Sequence, residues 1–353
     1  MSLPNNKEDE DQHMIHRKNL IEFETPPKII ASAAVGGKKE GEGPLGDYFD
    51  TISGDSRFGT DSWEKGEAKM QEETIRIALR KAKLPPEQID LLICGDLINQ
   101  CIASAYSARN LSIPYAGVYN ACASMAESMV FGAVLAGLGV MDHVVCAASS
   151  HFCTAERQYR YPLEYGGQRP PSAQWTATAA GAAVISGKSD AASPVAVKRV
   201  FFGRVIDYGI TDLTNMGAAM APAAADTLMR YFEQSKTQPQ DYDAIVTGDL
   251  GKIGSVLLRD LLQKENITLL DRHLDCGMLL FGDWQDVHAG GSGCGCCASV
   301  LCGYLLERLA KKEWRNILFL ATGALMSPMS VQQGETIPCI SHLLHLTSLG
   351  TGE

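Results

Sequence analysis

Apolar residues recur along this chain in two alternating rhythms. From Thr74 the sequence reads TIRIALRKAKLPPEQIDLLICGDL, and Ile75, Ala78, Leu79 and Ala82 fall at the spacing of one helical face. From Pro222 it reads PAAADTLMRYFEQSKTQPQDYDAIVTGDL, and Ala224, Leu228, Tyr231 and Phe232 do the same. Each stretch predicts a helix, a proline-containing turn and a short apolar strand (Leu91 to Cys94, Ala244 to Val246), then Gly-Asp-Leu. Asp96 and Asp249 are therefore equivalent, 153 positions apart. The parallel continues. Asn120-Ala121-Cys122-Ala123-Ser124 opens a small-residue helix before the strand Val144 to Ala148. Ala289-Gly290-Gly291-Ser292-Gly293 opens another before Ile317 to Ala321. The pattern is one βα unit written twice, which predicts two similar halves stacked about a pseudo-twofold, with largely parallel sheets covered by helices.

The predicted boundaries are a flexible arm at residues 1–26, a first half at 27–192, a second at 193–346 and a tail at 347–353. Residues 36–62, rich in Gly, Asp and Ser, read as loop.

With 353 residues the chain can bury two packed halves. A formal net charge of -10 argues against nucleic-acid binding and gives no broad basic face for anionic lipid. No apolar run reaches the ~18–20 residues of a membrane span, and the polar start, Asn5 to Asp11, is not a signal peptide. The 11 cysteines are odd in number and several lie in apolar segments, which predicts reduced, buried thiols. Cys294, Cys296 and Cys297 have C-x-C-C spacing with no second pair at zinc-finger distance, so they read as packing residues and no metal is expected.

Cys122 alone stands at a position prepared for chemistry. Ala116 to Tyr119 reads as a strand, and a helix begins near Ser124, with Ser124 and Glu127 in capping-box spacing. A thiol at that elbow should meet free backbone N–H groups and the positive end of a helix dipole, which favour thiolate.

Duplicated halves, an elbow cysteine in the first and a glycine-rich turn in the second resemble the thiolase and ketoacyl-synthase superfamily. The resemblance implies a layered α-β-α-β-α fold with Cys122 in the place of the acyl-accepting nucleophile. The family's partner residues, a His with an Asn or a second His, match here to about Gly248, beside Asp249, and to Gly290-Gly291. Both partners are thus replaced. His288 and His151 are the histidines that could substitute.

A closer resemblance covers nearly the whole chain from about residue 25. It is carried by GEGPLGDYFD, CGDLINQ, NACASMAES, SSHFCTAERQYRYPLEYGGQRP, GRVIDYGITD, MGAAMAPAAADT, HAGGSGCGC, ATGALMSP and QQGETIPCISH. These are similar to the stage V sporulation protein AD family of spore-forming bacteria. The resemblance implies a non-catalytic protein that binds dipicolinic acid, free or as its calcium chelate. It implies no cofactor, membrane subunits of the same sporulation complex as partners, a homodimer, and a peripheral place at the cytoplasmic face of the forespore inner membrane. An active condensing enzyme using Cys122 and a structural scaffold for membrane partners remain as alternatives. A flat dicarboxylate asks for an apolar slot and donors. The expected contacts are Cys122, His151, Arg157 (within Thr154 to Tyr161), Asp249, His288, Gly290, Gly291 and Ser292. Gly290 and Gly291 are expected to leave space at the thiol. Asp96 reads more readily as a turn cap.

Overall fold

The computed structural model describes residues 14–159 and 169–350. Its apolar strands assemble into two mixed sheets of five strands each, and the two are built alike. In the first half the strands run, in spatial order, Lys28–Gly37, Ala179–Ser186, His143–Ser150, Leu91–Gly95 and Tyr115–Gly117. In the second they run Val195–Phe201, Cys339–Ser348, Asn316–Ala324, Ala244–Thr247 and His273–Asp275. Numbered along the chain, both sheets have the order 1-5-4-2-3. In both, the first two pairings are antiparallel and the last two parallel. A single register pair, Ala196 with Lys28, joins the sheets.

The duplication therefore holds, while the expectation of largely parallel sheets is corrected. The last strand of each half returns antiparallel through the middle of its sheet. Ala179–Ser186 is buried at every position, and such a continuous run carries no direction in its pattern.

Helices fill three layers. Ser124–Gly137 packs against strands of both sheets, and Cys294–Ser299 lies beside it in the same central layer. Met125, Met129, Cys294, Cys297 and Ala298 belong to one shared core. The first outer layer is Trp63–Ala82 with Ile102–Leu111, and the other is Met216–Ser235 with Gly251–Lys264. Trp63–Ala82 and Met216–Ser235 both end on a lysine in the left-handed region, Lys83 at φ 57° and Lys236 at φ 58°. Part of the expected arm is ordered: Met14–Arg17 and Leu20–Phe23 pair with each other, and the latter adds to Val195–Phe201. Residues 1–13 and the tail's last three residues lie outside the described residues, and 347–348 still belong to the last strand. The expected loop at 36–62 carries the short helix Lys38–Gly41 and the strand Thr51–Ser53.

Candidate functional site

Cys122 sits in a single turn, Ala121–Ala123, between the strand Tyr115–Gly117 and the helix Ser124–Gly137. Ala121 is forced to φ 49°, a conformation that non-glycine residues seldom adopt, and the turn is held from several sides. The expected capping box is not formed. Ser124 Oγ donates to Ala121 O (2.8 Å) and accepts from Asn120 N–H (3.3 Å), whereas Glu127 faces the Asn120 side chain. The Asn120 amide also lies 3.1 Å from His342 Nε2. Gly203 N–H lies 3.2 Å from His342 Nδ1, on the other side of the ring. Asn120, Glu127 and His342 thus brace the elbow from behind. Sequence reasoning missed all three as a group, although His342 closes one of the segments that carry the family resemblance.

The second half contributes the group that faces the thiol. Asp275 accepts hydrogen bonds from Thr247 Oγ1, Leu250 N, Gly251 N and Met278 N, and so caps the turns around the strand ends. Asp249 is thereby left free for the interior. Its Oδ2 accepts from Gly293 N (2.9 Å) and Ser292 Oγ (3.2 Å), while Oδ1 has no hydrogen-bond partner among the described residues. The carboxyl is fully buried beside the Cys122 thiol. Ser292 is fixed by a short parallel pairing of Gly291–Ser292 with Trp175–Thr176. Gln174 Nε2 ties Asp249 O and Gly291 O together.

This environment reverses the expected thiol chemistry. Burial, and after it the Asp249 carboxylate, push the Cys122 thiol well above its ordinary value; the Gly293 N–H and Ser292 hydroxyl oppose this and lose. The elbow cysteine is a neutral thiol at pH 7. Burial pushes Asp249 itself up to about 7, with the Asp275 carboxylate adding to the shift. The twin, Asp96, is also buried, but it accepts from Ile98 N, Ser104 N and Ser104 Oγ. It caps the start of the next helix, as its sequence reading expects.

In front of Cys122 opens a cavity of about 60 Å³, room for several water molecules. Its walls are Leu97, Ala155, Met216, Met220, Ala324 and Met326, and its polar groups are Cys122, Ser292, Thr176, Glu156 and Tyr159. Ala121, Tyr159, Ala324 and Met326 are shared with an outer chamber of about 330 Å³, which Tyr119, Ser327 and Ser330 also line. At its mouth Tyr159 Oη donates to Leu97 O (2.8 Å) and lies 3.1 Å from Tyr119 Oη.

Of the expected contacts, the structure brings together Cys122, Asp249 and Ser292. The others lie elsewhere. His151 Nδ1 accepts from Cys153 N–H and Nε2 binds Ser56 O at 2.7 Å, so the ring is a buried structural link. His288 bonds Pro170 O and Asp286. Arg157 pairs with Glu64 and covers the Trp63 ring, and no Lys, Arg or His among the described residues lines either chamber. Arg160 and Tyr161 of the same segment lie outside the described residues. The glycines do not enlarge the space at the thiol. A Cβ at Gly291 would meet Cys296 Sγ and the Phe281 ring at 3.1 Å, and one at Gly290 would meet Gly277 O at 2.9 Å. Both are glycines because neighbouring elements approach closely there.

The C-x-C-C cysteines lie in the helix Cys294–Ser299, and two of their thiols are held by carbonyls: Cys294 Sγ donates to Ser149 O and Cys297 Sγ to Cys122 O.

Comparison with known proteins agrees with this geometry. A family model for stage V sporulation protein AD matches residues 17–347. The stage V sporulation protein AD of Bacillus subtilis (strain 168) is 41% identical over 320 residues, which cover 91% of this chain and 94% of that protein. Similar solved structures are thiolase-fold enzymes. The 3-oxoacyl-[acyl-carrier-protein] synthase III of Aquifex aeolicus VF5 has a TM-score of 0.53 at 13% identity, covering 90% of this chain and 99% of that one. Cerulenin-bound OleA of Xanthomonas campestris has 0.58 at 14% (91% and 96%). Human mitochondrial 3-ketoacyl-CoA thiolase in complex with CoA has 0.58 at 12% (92% and 98%).

Proposed function

This chain belongs to the stage V sporulation protein AD family, and from that premise we propose that it is a non-catalytic binding protein for dipicolinic acid. The observation that carries the reading is the buried Asp249 carboxyl beside a neutral Cys122 at the floor of a mostly apolar cavity. Carbon–carbon condensation needs a nucleophilic thiolate and donors aimed at the oxyanion that develops on the thioester. A carboxylate in that place raises the thiol and repels the oxyanion. The same cavity suits a rigid aromatic acid. Met216, Met220 and Met326 are adaptable walls for a flat ring, and the Ser292 and Thr176 hydroxyls and the Cys122 thiol are donors for a carboxylate.

No helix among the described residues is long and apolar enough to cross a membrane. Association with membrane subunits of a sporulation complex, at the inner face of the spore membrane and as a homodimer, is the role that family membership supports.

Calorimetric titration with dipicolinate, with and without calcium, tests the reading. The expected result is saturable binding of one ligand per chain, with the calcium arm showing whether the free acid or the chelate is preferred. Absence of heat in both arms, together with condensation of acyl thioesters that Cys122→Ala abolishes, would replace this reading with an enzymatic one.

A further inference from the structure

The floor of the inner cavity contains a hydroxyl whose direction depends on one buried proton. Ser292 Oγ lines the cavity and at the same time donates to Asp249 Oδ2 at 3.2 Å. A hydroxyl has one proton to give. While Asp249 is ionised, that proton points away from the cavity, and Ser292 shows incoming ligand only lone pairs. Once Asp249 is protonated it can donate to Ser292, and the Ser292 proton is free to turn into the cavity. Asp249 Oδ2 accepts Gly293 N–H at 2.9 Å through one lone pair and faces Ser292 with the other, so Oδ2 is the oxygen that carries the proton toward Ser292, while Oδ1 is buried with no hydrogen-bond partner among the described residues.

We propose that Asp249 and Ser292 form the specificity element of this site, and that a ligand carboxylate is bound together with one proton taken up from solvent. The proton goes to the Asp249 carboxylate, Asp249 donates to Ser292, and Ser292 donates to the ligand. No bond other than these hydrogen bonds is made or broken. The proposal rests on the reading of the two chambers as a carboxylate-ligand site.

The surroundings fit a single proton acceptor in this place. The groups that face Asp249 are the Cys122 thiol from the elbow, Asp275 from the end of the neighbouring strand, and Cys276, Cys296, Cys297 and Cys339 from the elements around it. Burial pushes all five thiols up, so they stay neutral near pH 7. Burial raises Asp275 as well, against the opposing pull of its four donors, and the charge it carries raises Asp249 further. Among the described residues, Glu156 is the acid in the cavity lining. An anion brought to Ser292 adds one more negative charge and draws the proton onto Asp249.

The test is calorimetric titration of the full chain with disodium dipicolinate, calcium-free, in buffers of different ionisation enthalpy. At pH 8 the unliganded Asp249 is mostly ionised, and uptake of about one proton per ligand is expected, with affinity falling about tenfold per further pH unit. At pH 5.5 the uptake should vanish, because Asp249 already holds its proton. In Asp249→Asn the affinity should no longer vary with pH, whatever its absolute value. Binding with no proton uptake at pH 8, or with proton release, would overturn the proposal while leaving the ligand reading intact. No binding of dipicolinate at either pH would overturn the ligand reading and this proposal with it. The wild-type proton count decides the matter even if Asp249→Asn does not fold.

Discussion

Replacing Glu67 by glutamine should abolish most of the loss of stability that the wild-type chain suffers above neutral pH. Glu67 is wholly buried in the helix Trp63–Ala82, close to the buried Asp96. Its Oε1 meets Ser149 Oγ at 3.2 Å and its Oε2 meets Thr154 Oγ1 at 2.7 Å. Thr154 Oγ1 also lies 3.0 Å from His151 O, and it has one proton for two acceptors. The count closes when Glu67 is protonated: Thr154 donates to the carbonyl and Glu67 donates to Thr154. Burial and then the Asp96 charge push Glu67 from 4.5 up to about 8. A folded value above the unfolded one means that this contribution to stability is complete below about pH 4.5 and disappears as pH rises through 8. At about 1.4 kcal/mol per unit, the loss between pH 5 and 9 is on the order of 4 kcal/mol. Glutamine copies the protonated acid, because its oxygen can accept from Ser149 and its amide can donate to Thr154. Glu67→Gln should therefore lie within about 1 kcal/mol of wild type at pH 5.5 and be more stable at pH 9 by several kcal/mol. Urea unfolding from pH 5.5 to 9, followed by circular dichroism, measures this. Parallel curves for the two proteins would refute the reasoning, since they would mean that Glu67 is ionised throughout.

Iodoacetamide at pH 7.5 should alkylate the half-buried Cys153 before Cys122, by peptide mass spectrometry, because burial and Asp249 keep the elbow thiol neutral; Asp249→Asn should speed labelling of Cys122. Met326→Trp, at a wall shared by both chambers, should cost dipicolinate at least about tenfold in affinity, or 1.4 kcal/mol, while thermal melting stays near wild type. Gly293→Ala should destabilise by about 1–3 kcal/mol in denaturant titration, since φ is +97° there and a Cβ would meet Ser150 Oγ at 2.7 Å. Sedimentation at micromolar concentration should give a dimer mass.

The duplication was legible in the sequence because each half repeats whole elements in the same order, down to the Gly-Asp-Leu that ends a strand. Strand direction was not, since Ala179–Ser186 and Cys339–Ser348 are buried runs without alternation that could attach either way. The elbow was legible from the small residues around Cys122. Its electrostatics were not, because the helix dipole is local in sequence while Asp249 comes from the other half, and desolvation outweighs the dipole. Gly290 and Gly291 were misjudged for a related reason: the direction of a missing Cβ depends on backbone path, and here it points to Phe281, Cys296 and Gly277 rather than to the thiol. Arg157 looked like a ligand cation by type, but Glu64, on a helix far away in sequence, claims it.

The repeat of the fold also means that the molecule carries a closed counterpart of its own site. Cys294, like Cys122, follows a residue of positive φ; it opens a helix of the central layer and lies near the buried acids Asp96 and Glu67. The offset of 153 that relates Asp96 to Asp249 also relates Glu67 to Met220, a wall of the open cavity. One side of the pseudo-twofold has a methionine that leaves a hollow, and the other has an acid that bridges Ser149 and Thr154 and fills it. In this chain the buried Glu67 occupies the counterpart position, so occupancy should saturate at one ligand per polypeptide, and the same acid ties down, through Thr154, the helix Phe152–Tyr159 that walls the open cavity.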